Sequence, residues 1–333
     1  MDIRELQSKL SASRKILITT HHRPDGDAIG SSLGLYNYLL LKKHEVTVVT
    51  PNGYPGFLQW MPGNDKVVDF EKDTERARQA VAAADIIFCL DFNEPGRLEG
   101  FSGLVMASKA FKVMIDHHLH PDNFCDITYS FPAASSTCEL VYELICSFGD
   151  EQMINRAIAE CIYAGIMTDT ASFRFSSMRA NTHRIIAHLM ECGAVNYRIH
   201  EAVYDTFSPD RLRLLGHCID KMKIFREYNT ALITVSAADL ERYNYQTGDT
   251  EGIVNYPLSV EGIRFSVFFA ERERRVKISF RSKGDFSARD FAAKYFNGGG
   301  HKNAAGGHSD LSLSEAEALF VSLLPSCKKE LNS

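Results

Sequence analysis

In the first half of the chain, short β-branched and aliphatic runs alternate with segments whose apolar positions recur at helical spacing. Lys15 to Thr20, Val46 to Thr50, Asp85 to Leu90 and Phe111 to Ile115 read as strands. Between them, residues 28–43 place Ile29, Leu33, Tyr36 and Leu40 on one helical face, and residues 74–84 read as a second helix. Residues 2–13 predict a short amphipathic helix with Ile3, Leu6 and Leu10 in register, and the Pro/Gly-punctuated stretch 51–64 predicts a loop. Ser135 or Ser136 can cap a helix running to Phe148, because Glu139 stands at capping-box spacing from Ser136. A further helix covers about 151–166, followed by a short strand over 172–175. Strands separated by helix-length segments predict a parallel α/β sheet, whose ligands bind beyond the carboxyl ends of the strands.

The pattern changes near residue 180. Residues 181–215 are helical in pattern, interrupted by Gly193 and by Ser208-Pro209, and the domain connection is placed there. Strands follow over 223–225, 231–235, 264–269 and 276–280, then a helix over 287–296, a glycine-rich loop from Asn297 to His301, and a last helix over 313–324. A chain of 333 residues exceeds one ordinary core and fits two domains. The expected fold class is therefore α/β: a parallel-sheet domain over residues 1–185, a helical linker over 186–215, and a smaller α/β substrate-binding domain over 216–333, with the site in a cleft between them.

Composition narrows the class. With 45% hydrophobic and 24% charged residues, the sequence has the balance of a soluble globular protein. No apolar run approaches the roughly 18 residues that cross a bilayer, and the start carries no apolar signal-peptide core, so a cytoplasmic location with no membrane partner is expected. The cysteines at 89, 125, 138, 146, 161, 192, 218 and 327 form no Cys-x-x-Cys pair, which removes a disulfide framework and a thiolate zinc site. Any metal must be held by oxygen and nitrogen. The net charge is −5, yet Arg264 to Lys302 holds ten Lys or Arg against four Asp or Glu. The local charge there suits an anionic ligand.

Candidate chemistry sits where strands end. The first strand runs into His21-His22-Arg23-Pro24-Asp25-Gly26-Asp27, the third into Asp91, the fourth into Asp116-His117-His118, and the apolar helix from Ile154 into Asp169. Each has an ordinary alternative: Pro-Asp-Gly-Asp is a good polar turn, Asp91 and Asp169 could be helix caps, and a histidine pair could be a surface feature. A calcium loop starting at Asp25 is disfavoured, because its twelfth position is Tyr36 where a bidentate Glu is needed. Together, His21, Asp25, Asp27, Asp91, His117 and Asp169 offer four carboxylates and two imidazoles. That set suits two divalent ions, with manganese favoured over zinc in the absence of thiolates. In the second domain, Gly298-Gly299-Gly300-His301 and the strand end Phe280-Arg281-Ser282 read as a phosphate-binding pair, with backbone N–H groups from the glycines and a forked donor from Arg281. There is no Walker-type loop and no properly placed dinucleotide fingerprint.

These motifs, in this order, resemble the DHH phosphoesterase family in the branch with the DHH-associated C-terminal domain. His21 to Ser31 is similar to its first motif, Asp91 to its second, Asp116-His117-His118 to its third, Gly165 to Thr170 to its fourth, and Gly298 to His301 to the hallmark of the C-terminal domain. The match covers nearly the whole chain and looks most like the nanoRNase/pAp-phosphatase type. The resemblance implies one manganese held by His21, Asp25 and Asp91 and a second by Asp27, Asp91, His117 and Asp169. It also implies that the paired ions activate water against phosphorus, that His118 serves the phosphoryl group with Asp116 orienting it, and that Arg281, Ser282, Gly299, Gly300 and His301 hold the nucleotide. The implied substrates are short single-stranded RNA and 3′-phosphoadenosine 5′-phosphate (pAp), and homodimerisation is a family-level expectation. A cyclic-dinucleotide or pApA phosphodiesterase, or a nucleotide-binding regulatory protein without turnover, is the alternative.

Overall fold

The computed structural model of the chain describes residues 3–175, 177–272 and 275–332. It divides into two compact units, one up to Thr206 and one from Phe207 onward.

The first unit is built on a six-stranded sheet of β1 (Lys15–Thr20), β2 (Glu45–Thr50), β3 (Val68–Asp69), β4 (Ile86–Leu90), β5 (Phe111–Asp116) and β6 (Ile127–Ser130). The order is β3-β2-β1-β4-β5-β6 and every pairing is parallel. Alternate side chains therefore serve different layers. Ile16, Ile18, Phe88 and Leu90 face a core shared with α2 (Gly26–Leu41), α5 (Thr137–Ser147) and α6 (Arg156–Asp169). Leu17, Val49, Ile87 and Cys89 face a second core under α3 (Thr74–Ala83) and α4 (Ser102–Ala107). Strand order reverses between β1 and β4, and in sheets of this kind the crevice outside the reversal point is where ligands bind.

Two glycines let helices close on that crevice. A Cβ on Gly165 would come within 2.1 Å of Cys138 Sγ, and one on Gly26 within 2.2 Å of Thr168 Oγ1. Larger residues would hold α6 away from α2 and α5, and with it Asp169 away from Asp27. Helices α7 (Ala180–Glu191) and α8 (Asn196–Tyr204), which fall in the stretch expected to connect domains, bury Ile185, Leu189, Ile199 and Val203 in this unit's core. The expected strand over 172–175 is not formed. Thr170 instead gathers a tight turn in which Ala171, Ser172 and Phe173 all have positive φ (49°, 61° and 66°). Its carbonyl accepts the N–H groups of Arg174 and Phe175, and its hydroxyl accepts that of Phe173.

The second unit begins with α9 (Pro209–Asp220), capped by the Ser208 hydroxyl. Its strands β7 (Lys223–Phe225), β8 (Thr230–Val235), β9 (Phe265–Arg272), β10 (Arg275–Ser282), β11 (Gly299–His301) and β12 (Ala304–Ser309) lie in the order β11-β12-β10-β9-β8-β7, antiparallel except between β8 and β9. Phenylalanines 265, 269, 280, 291, 296 and 320 form its core beneath α11 (Ala288–Tyr295) and α12 (Leu313–Leu331). The glycine-rich segment differs from the expected loop. Gly299–His301 forms β11, which pairs with β12 (Ala304–Ser309). The close approach explains the glycines: a Cβ on Gly298 would lie 2.2 Å from the Gly306 carbonyl oxygen, and Gly300 has φ +135° with the Ala304 oxygen 2.6 Å from where its Cβ would be.

Candidate metal centre

The residues named from the strand ends converge. Three parallel strands, β1, β4 and β5, end side by side and deliver His21, Asp91 and His117, while the start of α2 brings Asp25 and Asp27 and the end of α6 brings Asp169. Two groups result. In one, His21 Nε2 stands 3.5 Å from Asp91 Oδ2 and 3.9 Å from Asp25 Oδ1. In the other, His117 Nε2 stands 3.5 Å from Asp91 Oδ1, 3.6 Å from Asp169 Oδ2 and 3.7 Å from Asp27 Oδ2. These separations are too long for hydrogen bonds and suit donors that converge on one ion. Asp91 faces His21 with Oδ2 and His117 with Oδ1, so it stands between the two groups.

Both imidazoles are turned to offer Nε2. The His21 Nδ1 sits 2.9 Å from the His22 carbonyl oxygen and the His117 Nδ1 3.4 Å from that of Ala134. A carbonyl on the far nitrogen fixes the tautomer that a metal-binding histidine needs. Asp25 caps α2, its Oδ1 accepting the N–H groups of Asp27 and Ala28. Asp116, fully buried, holds His118 twice: Oδ1 lies 2.7 Å from the ring Nδ1 and Oδ2 accepts the backbone N–H at 3.0 Å.

A residue the sequence reading did not single out completes the cluster. The Thr137 N–H and the Cys138 N–H, at the first turn of α5, donate to Asp27 Oδ2 and Oδ1 at 2.6 and 2.8 Å, and the Thr137 hydroxyl donates to Asp91 Oδ1 at 2.9 Å. One helix start thus orients two acids, with its dipole favouring their negative charge. Ser136 caps that helix through the Glu139 N–H, but the capping box does not close. The buried Glu139 carboxylate instead accepts the Ser135 N–H and hydroxyl and pairs with Arg179 at 2.6 Å.

Electrostatics give the cluster a need for cations. Asp91 is 2% exposed and its carboxyl is pushed well above the usual range, first by burial and then by the charges of Asp27, Asp25, Asp169 and Asp116. Asp27 is also raised, chiefly by burial. Among the described residues no lysine or arginine nitrogen lies within 4.0 Å of either carboxylate. Four acids and two Nε2-presenting imidazoles fit a pair of divalent ions, which would supply positive charge to the two buried carboxylates.

In the second unit, Arg281 lies on β10 (Arg275–Ser282) opposite Ala304, and one of its Nη groups donates to the Phe280 carbonyl at 2.9 Å. The Ser282 hydroxyl is buried and used internally: it donates to the Phe286 carbonyl at 2.7 Å and accepts the Asn303 amide at 2.8 Å. Gly299 differs from its neighbours, since a Cβ there would meet nothing within 4 Å. His301 closes β11 and is half-buried.

Comparison with known proteins agrees with the motifs. The chain matches the DHH family, N-terminal domain, over residues 15–166 and the DHHA1 domain over residues 229–327. It is 32% identical over 317 residues to the bifunctional oligoribonuclease and PAP phosphatase NrnA of Thermus thermophilus, covering 95% of this chain and 90% of that protein. The Bacillus subtilis protein of the same name is 30% identical over 330 residues, 98% of each chain. A solved structure of an exopolyphosphatase-related protein from Bacteroides fragilis superposes with a TM-score of 0.95 at 43% identity, over 99% of this chain and 97% of that one.

Proposed function

We propose, from the premise that the chain belongs to the DHH family and carries its DHHA1 domain, that it is a manganese-dependent phosphohydrolase. It would degrade short oligoribonucleotides to mononucleotides and dephosphorylate pAp to AMP. The observation that carries the reading is Asp91, one oxygen facing His21 and the other His117, as a carboxylate shared by two ions must. The relatives that cover nearly the whole chain are named for these two activities, which supports the substrate class.

His21, Asp25 and Asp91 would hold one ion and Asp27, Asp91, His117 and Asp169 the other. Bound there, the pair supplies Lewis acidity toward the phosphoryl group and lowers the pKa of water. The chain's own part is positional. Thr137 and the α5 start fix Asp91 and Asp27. Asp116 takes the Nδ1 side of His118, which leaves the Nε2 side as the one that would serve the phosphoryl group. Arg281, Gly299, Gly300 and His301 would hold the rest of the nucleotide, with Ser282 fixing the hairpin that presents them.

The test is phosphate release from pAp beside the shortening of labelled RNA from two to about twenty nucleotides, with manganese added. Turnover of pAp and of the shortest RNAs, fading with length, is expected. Inactivity on both, with a cyclic dinucleotide or pApA consumed instead, would keep the metal centre and overturn the substrate.

A further inference from the structure

We propose that Arg97 grips the reacting phosphoryl group at the metal centre through its non-bridging oxygens. The inference rests on the phosphohydrolase reading and adds to it a residue that reading leaves idle. Arg97 lies in the turn Pro95–Phe101 that follows β4 and Asp91. Its carbonyl accepts the His22 N–H at 2.7 Å, which ties the turn to the loop carrying His21 and Asp25.

The Arg97 side chain is a cation beside a nest of acids that does not pair with any of them. Its charge is felt at His21, Asp25 and His118, residues from both sides of the cluster. Yet among the described residues it makes no ion pair within 4.0 Å and no side-chain hydrogen bond. Its Nε is shut off from solvent with no hydrogen-bond partner, while the residue as a whole is only partly buried. Arginine next to carboxylates ordinarily closes a fork on one of them. Here Asp25 and Asp91 turn toward His21, and Asp116 toward His118.

That arrangement has a purpose once divalent ions are bound. A guanidinium beside two dications is repelled unless an anion lies between them, and its buried donor stays unmet unless a ligand reaches it. A phosphate answers both needs. Its non-bridging oxygens match the planar fork, and they carry the charge that spreads during phosphoryl transfer, so the same contact tightens as the reaction proceeds. The ligand class is a phosphomonoester or phosphodiester whose reacting phosphorus lies at the metals.

The experiment uses the full chain with Arg97→Gln and Arg97→Lys, and orthophosphate as the probe. Manganese affinity is read by the free-ion paramagnetic resonance signal, orthophosphate binding to the manganese-loaded protein by calorimetry, and kcat and KM on pAp alongside. Arg97→Gln should bind manganese as the parent does and lose orthophosphate affinity roughly 10- to 100-fold, the size of a charged hydrogen bond. Arg97→Lys, which keeps the charge without the fork, should recover part of it. Unchanged orthophosphate affinity in a manganese-replete Arg97→Gln protein overturns the proposal. If that variant does not fold or loads no metal, Arg97→Lys decides: weakened orthophosphate binding supports the role and parent-like binding rejects it. A parent protein that ignores pAp and RNA but binds orthophosphate through Arg97 would sink the substrate assignment and leave this contact standing.

Discussion

Replacing Thr137 by valine removes one hydroxyl and nearly nothing else. Valine has the same shape, and the backbone N–H groups that hold Asp27 remain. What is lost is the 2.9 Å donation to Asp91 Oδ1, the oxygen that faces His117. A hydrogen bond to a charged group contributes about 1.5–3 kcal/mol. Groups that orient metal ligands typically account for ~10- to 100-fold in metal affinity, which at about 1.4 kcal/mol per decade is the same range. Thr137→Val should therefore weaken manganese binding by about 10- to 100-fold. Thr137→Ser, which keeps the hydroxyl and loses one methyl, about 0.8 kcal/mol of burial, should stay within roughly threefold of the parent. Manganese titrations followed by calorimetry, with melting curves of the metal-free proteins, separate the roles. A hydroxyl that serves only the fold would lower the melting temperature and leave metal affinity alone. A folded Thr137→Val protein that binds manganese as tightly as the parent would refute the reasoning.

Three further outcomes follow from the same geometry. Because the Asp91 carboxyl is raised by burial and neighbouring acids, the metal-free fold takes up a proton there and loses stability as pH climbs from the ordinary carboxylate range through the raised value. Metal-free Asp91→Asn should therefore melt above the metal-free parent at pH 7.5, with the gap closing toward pH 4. A lower melting temperature at both pH values would count against the electrostatic account. Ala171 sits at φ +49°, where an L-residue is strained and glycine is not, so Ala171→Gly should stabilise the protein by about 0.5–1 kcal/mol in chemical denaturation, and a loss of stability would contradict it. Arg281→Ala should raise the KM for pAp far more than it lowers kcat, and a KM equal to the parent's would remove Arg281 from nucleotide binding.

The strand ends were readable because each strand of the first sheet's centre is a run of apolar residues that stops at a polar one. Lys15–Thr20 has the bounds its sequence suggests, and Asp91 follows Ile86–Leu90 without a gap. Elements with weaker patterns were not legible. Strand β6 is an edge strand of four residues, only half of them apolar, and the turn and helix from Pro95 to Ala107 have no caps or period to announce them. Residues 172–175 carry the aromatic content of a strand, but the hydrogen bonds to Thr170 bend them into a left-handed turn. The glycines before His301 suggest mobility in sequence. In the fold they permit a hairpin whose backbones touch. Thr137 could be read only as part of a helix cap, since its partner Asp91 is 46 residues away. Arg97 belongs to no motif, and its chemistry is visible only from what surrounds it.

The shared carboxylate is tested most directly by counting ions. Manganese retained per chain after equilibrium dialysis, measured by elemental analysis on the parent and on Asp91→Ala, should be two for the parent. At the same free manganese the variant should hold neither ion while keeping the parent's circular dichroism. One ion in the parent, or two in a folded Asp91→Ala protein, would contradict a centre built around Asp91.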